Sequence, residues 1–259
     1  MLTIQQLGAV LAFQPAFVFF IFAAIVVAAI VLGYLACEKR RKQLSAWATA
    51  KNLSFDPSED SQLDGRFPLF KCLRRGHNRY GYNRISGHWQ GRKMWAFDYH
   101  YVTGSGKNRQ THQFSAVIVR SAVPLKGLLI RPEGLFDKIT EFFGYDDLDF
   151  ESAEFSRRFY VKADNRRWAY DVLHPLTIEF LLNSPTFTMQ FDPIHVIAYR
   201  NGTLSPEEFA QAADVIGGIL DRMPEYLVAQ QGQLRPPAVG SVGSAGPAGL
   251  EGLEGRITS

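Results

Sequence analysis

The sequence predicts an α+β protein, with an N-terminal transmembrane helix followed by a cytosolic antiparallel-sheet domain with packed helices. Three observations carry this. Residues Ala16–Cys37, AFVFFIFAAIVVAAIVLGYLAC, contain no charged side chain. Residues 92–119 read as two strands about a Gly-Ser-Gly turn. Helix-periodic segments appear at 132–143, 166–173, 175–182 and 205–226, but they do not alternate one for one with strands, which excludes a doubly wound parallel sheet.

The apolar run has the length, about 20 residues, that a helix needs to cross roughly 30 Å of hydrocarbon. A single run can satisfy its backbone in lipid only as a helix. Pro15 suits its first turn. It is too long for the apolar core of a signal peptide, and no basic residue precedes it. Met1–Pro15 carries no charge, whereas Lys39, Arg40, Arg41 and Lys42 follow directly after Glu38. The positive-inside rule therefore predicts a single-pass protein of the plasma (inner) membrane, with residues 1–15 extracytoplasmic, 16–37 spanning, and the rest cytoplasmic. Ala29 and Gly33 lie at helical spacing with Cys37, a small-residue stripe that would admit a homodimer contact.

Residues 38–66 are expected to form a basic juxtamembrane helix and a linker. Leu44, Trp47, Ala48 and Lys51 follow helical spacing and suit either the membrane interface or the surface of the domain. Asp56-Pro57-Ser58 and Asp64-Gly65 mark turns in the linker from Asn52 to Phe67. The domain is placed at 67–228. Phe67–Leu73 and Arg79–Ser86 are expected as strands, Gly87–Gly91 as a turn, and Arg92–Val102 with Asn108–Val119 as the clearest hairpin. A turn centred on Ser105-Gly106 would pair Phe97 with Phe114, Tyr99 with His112, and Trp95 with Ala116. Leu128–Arg131 adds a strand, and Pro132 is expected to open a helix that buries Leu135, Phe136, Ile139, Phe142 and Phe143 and ends at Gly144.

In the second half, Asp147–Phe150 and Phe159–Ala163 read as extended. Arg166–Leu173 and Pro175–Leu182 read as helical. Thr186–Phe191 and His195–Arg200 form a hairpin across Asp192-Pro193. Ser205, Pro206 and Glu208 spell a capping box for a last helix that runs to about Tyr226, with Pro224 bending its end. Residues 229–259 are rich in Gly, Ala, Pro and Ser and are expected to be a disordered tail. Glycine recurs there every third residue from Gly240 to Gly255, the collagen period, but over too few triplets for a triple helix.

Composition limits the chemistry. Two cysteines, Cys37 and Cys72, provide neither a disulfide framework nor a zinc quartet, and no motif calls for a cofactor or metal. Net charge is only +3, but it is unevenly spread. Lys71 to Lys93 holds seven Lys or Arg and no acid, while Glu133 to Glu154 holds eight acids and one base. Lys71, Arg74, Arg75 and Arg79, with the Lys39–Lys42 cluster, are candidates for contact with anionic lipid of the inner leaflet. With Tyr80, Tyr82 and Trp89 interleaved, the stretch 71–93 also has the composition of a single-stranded nucleic-acid binder, the less favoured partner. Asp98, His100 and His112 are the low-ranked catalytic candidates, because strand alternation divides the two histidines between opposite faces. Asp147, Asp149 and Glu151 alternate into an acidic edge. Thr103–Lys107 looks like a phosphate loop but lacks its first glycine and joins two strands.

The string Phe97–Lys107 with Gln110-Thr111, then Ile130–Glu133 and Asp147–Glu151, resembles a group of bacterial proteins. These have one N-terminal membrane helix and a cytosolic domain with no assigned activity. The resemblance spans most of 67–226 and implies the same layout, without a site. The sequence is thus read as a membrane-anchored binding or scaffold module for a protein partner it does not identify. A membrane-tethered enzyme and a nucleic-acid binder are the alternatives.

Overall fold

The structure is a computed structural model that describes residues 15–134 and 146–232. One helix, α1 (Pro15–Ala50), opens it. Its stretch Val18–Ala50 is long and apolar enough to cross a membrane, and its most apolar part is not buried against the protein. Among the described residues nine strands follow: β1 (Ser54–Asp56), β2 (His77–Trp89), β3 (Arg92–Thr103), β4 (Gln110–Arg120), β5 (Leu128–Pro132), β6 (Asp146–Asp147), β7 (Phe159–Ala163), β8 (Thr188–Phe191) and β9 (His195–Asn201). They form one antiparallel sheet in the order β1-β2-β3-β4-β9-β8-β5-β7-β6. The helices are α2 (Leu63–Arg66), α3 (Ala153–Arg158), α4 (Arg166–Val172), α5 (Pro175–Leu182), α6 (Pro206–Asp221) and α7 (Glu225–Gly232). The α+β class is as expected.

Both faces of the sheet are covered, which explains why β3 is buried almost throughout rather than alternating. On one face Met94, Ala96, Val117 and Ala198 meet Phe209, Ala213 and Ile216 of α6, together with Leu44 and Ala48 of α1. On the other, Phe97, Tyr99, Phe114 and Tyr199 form an aromatic layer roofed by Leu63, Phe67, Phe70 and Leu73. Tyr99 donates a 2.6 Å hydrogen bond to the Leu73 carbonyl, so its ring is buried with its polar end satisfied. Burial pushes its phenol pKa well above the ordinary value.

Several expectations need correction. The stretch 52–66 is not a linker: Ser54–Asp56 pairs with Arg84–Ser86, and Asp60 bridges Gly81. The packed domain therefore begins near Leu44 in α1 rather than at Phe67. Phe67–Leu73 is a turn and a short 3-10 helix, because its apolar residues roof the sheet rather than pair along it. Pro132 ends β5 opposite Phe159 instead of opening a helix. The rest of that expected helix lies outside the described residues. The β3–β4 register is shifted by two from the expected one, with Tyr99 opposite Phe114, Tyr101 opposite His112, and Phe97 opposite Ala116. The connection is wider than a tight turn, since Gly106–Asn108 forms a 3-10 turn inside it. A shift of two preserves which face each side chain occupies. The final helix stops at Asp221, and α7 starts anew after Pro224. The capping box at Ser205 and Glu208 is present as read.

Candidate functional site

A buried polar cluster is built around Asp98, which is only 1% exposed. Strand alternation turns Phe97 and Tyr99 into the aromatic layer and Asp98 to the opposite, helix-covered face. There the carboxylate meets α1. Arg40 Nε donates to Oδ2 at 2.9 Å and Arg40 Nη2 to Oδ1 at 2.7 Å, a bidentate fork. The third guanidinium nitrogen, Nη1, donates to the Leu204 carbonyl at 2.9 Å. Arg40 thus ties the end of the apolar helix to β3 and to the loop before α6.

Two further donors complete the carboxylate. Asn83 Nδ2 reaches Oδ2 at 2.9 Å and Ser115 Oγ reaches Oδ1 at 2.5 Å. Asn83 sits where β2 carries an extra residue against β3, between the Tyr82–Asp98 and Ile85–Ala96 pairs, and its φ of 49° is left-handed. Asparagine tolerates that conformation better than most residues, and the bulge re-aims its amide at Asp98. Ser115 lies directly across from Asp98 on β4 and accepts from the Leu204 N–H at 3.0 Å. Tyr82, opposite Asp98 on β2, has its phenol pKa pushed up to about 12, first by burial and then by the Asp98 charge. The outer side of Arg40 borders a polar hollow of about 580 Å3, shared with Gln43, Trp47 and Ser205.

Below this junction the helix continues to grip the domain. Leu44 and Ala48 are fully buried, and Trp47 stacks on Trp89 with ring centroids 5.8 Å apart. Arg40, Leu44 and Ala48 follow one another at spacing four, so they lie on one stripe of the helix.

The other candidates are dispersed. His100 Nδ1 meets the Asn78 carbonyl at 3.1 Å and its ring stacks on Tyr80, whereas His112 meets Thr103 Oγ1 at 2.7 Å and stacks on Tyr101. The side-chain partners of Asp98 are Arg40, Asn83 and Ser115, so neither histidine is placed between an acid and a hydroxyl as a relay requires. Of the basic residues, Lys39, Arg41, Lys42 and Arg74 are exposed, and Lys71 and Arg75 are partly buried. Arg79 pairs with Asp64, Arg84 with Asp56 and Asp60, and Arg92 with Asp221. The stretch 71–93 is therefore not a continuous cationic face. Among the described residues no group of three or more His, Cys, Asp or Glu converges as a metal site would. Asp147 is taken up by Tyr160 and Lys162, and these bonds hold its carboxyl below the usual carboxylate range.

The fold and site define an α+β domain clasped to the end of a long apolar helix. Comparison with known proteins adds one likeness. The crystal structure of the mycobacterial trehalose monomycolate transport factor A, TtfA, superposes with a TM-score of 0.54 at 12% identity, covering 70% of this chain and 92% of that one. No family model matches the sequence, and no curated protein does. At that identity the likeness is one of fold.

Proposed function

We propose that the chain is a single-pass membrane protein whose domain is a binding module held at a fixed attitude to the bilayer, serving a membrane-associated process such as transport as an accessory rather than as a catalyst. The observation that carries this is the Arg40–Asp98 junction. A module that only needed tethering would hang on a flexible linker, whereas here the apolar helix runs without a break into the domain core. The fold shared with a protein described as a transport factor supports the accessory role. The uncharged N-terminus and the basic cluster after the span support a cytoplasmic domain.

The geometry also favours contact with anionic lipid at one end of the sheet. From Trp47, stacked on Trp89 beside the β2–β3 turn, to Arg40, bound to Asp98, helix α1 runs along β3 toward Thr103. The apolar part of α1 thus departs past the sheet end that carries the β3–β4 connection, where Lys107 and Arg109 are exposed. Gly76 abuts the Val102 carbonyl, which brings Arg74 to the same end. The test of the main reading is affinity capture of the full chain from solubilised membranes, beside an Asp98→Ala variant that still inserts. A protein partner held by the first and weakened in the second is expected. Equal capture by both, or co-purification of nucleotide or nucleic acid alone, overturns the reading.

A further inference from the structure

Away from the junction, a hollow of about 1010 Å3 is an open groove between the segment leading into α3 and the helices α4 and α5. Its floor is apolar. Phe150 and Ile178 are half-buried, Leu173 is buried, and the Tyr170 ring meets Phe150 edge to face at 5.2 Å. His174, which also lines the groove, donates from its Nε2 to the Arg222 carbonyl at 2.8 Å. The rim is acidic: Asp149, Glu151, Glu154 and Glu179 line it, and among the described residues no Lys or Arg does. Arg158 lies 4.0 Å from Glu154, and its Nη1 also donates to the Leu182 carbonyl at 2.6 Å.

An apolar floor with a single-sign rim selects its occupant. Anionic lipid and nucleic acid are repelled by the carboxylates. A wholly apolar ligand leaves them without a counter-charge. We infer that the groove is the docking site for a basic amphipathic helical segment of a partner protein, with apolar side chains on Phe150 and Ile178 and Lys or Arg heads along the rim. This rests on the reading of the domain as a binding module and names the chemistry of its partner. The groove differs from the Arg40–Asp98 junction, so one can fail without the other.

The experiment uses the full chain in zwitterionic nanodiscs and a labelled Leu/Lys amphipathic peptide of about 18 residues. A Leu/Glu peptide of the same pattern and empty nanodiscs are the controls. The Leu/Lys peptide is expected to bind and to slow amide exchange across 149–154 and 170–182. Ile178→Ser and the double change Glu151→Lys with Glu179→Lys should each weaken it by about tenfold or more, equivalent to about 1.4 kcal/mol. The two glutamates are exposed, so their reversal keeps the test readable if Ile178→Ser fails to fold. Binding that ignores the charge reversal, protection confined to other surfaces, or equal binding of the Leu/Glu peptide overturns the assignment. Capture in the first experiment that is unaffected by the groove changes would leave the binding module standing and remove only this site.

Discussion

At the scale of single residues, Asp98 and Arg40 join the helix to the sheet. Removing one partner of a buried pair leaves the other charge uncompensated, at a cost of about 3–5 kcal/mol. Asp98→Ala strands Asn83 and Ser115 as well as Arg40, so it is expected at or near that cost in chemical denaturation of the full chain. The double change Arg40→Met with Asp98→Leu should recover much of the loss, because a packed apolar pair of similar volume removes both desolvation penalties. Failure of the double variant to recover would show that the junction acts through Asn83 and Ser115 rather than through the ion pair. Glu208 gives a separate pH prediction. The Ser205 backbone N–H and Arg200 hold its carboxyl below the ordinary value against the opposing effect of burial. Because the folded pKa lies below the unfolded one, its stabilisation is complete above the unfolded value and is lost as pH falls through the folded value. Glu208→Gln should flatten stability between about pH 5 and pH 3 relative to the parent.

At the scale of elements, tight backbone approaches set the connections. Gly76, at φ 61°, faces the Val102 carbonyl so closely that any Cβ would force the turn away from β3. Gly91, at φ 78° in the β2–β3 turn, has open space around it. Gly91→Ala is therefore expected to cost about 1 kcal/mol, the conformational penalty alone. Gly76→Ala should cost clearly more in the same thermal-denaturation assay, and equal costs would show that the turn can yield. Much at this scale was legible in the sequence. The capping box at Ser205, the span of α5 and the β3–β4 hairpin follow from local chemistry that acts within a few residues. The strand at Ser54–Asp56 and the roof at Phe67–Leu73 were not legible, since both depend on what lies across the sheet. The junction was half legible. Arg40 shares a helical stripe with Leu44 and Ala48, a signal that it faces the domain, but the basic cluster around it pointed to the membrane surface. Nothing local singled out Asn83 or Ser115, whose roles come from a bulge and a strand pairing.

At the scale of the whole molecule, helix α1 runs unbroken into the domain core, and the end of the sheet beside the departing helix carries Arg74, Lys107 and Arg109. Basic residues near an anionic surface contribute about 1 kcal/mol each. In nanodiscs containing anionic lipid, amide exchange over 104–109 should be slower than in zwitterionic ones. Lys107→Glu with Arg109→Glu should abolish the difference, and identical exchange in both lipids would remove the membrane contact from the account. The attachment itself is tested most directly by the distance between two spin labels in the full chain in nanodiscs. One sits on the exposed native Cys37 and the other on Lys126→Cys at the domain surface, while Cys72 stays buried and unlabelled. A narrow distance distribution that broadens in Asp98→Ala is the predicted result. A broad distribution in the parent chain would contradict the central claim, because it would mean that the domain swings freely on its helix.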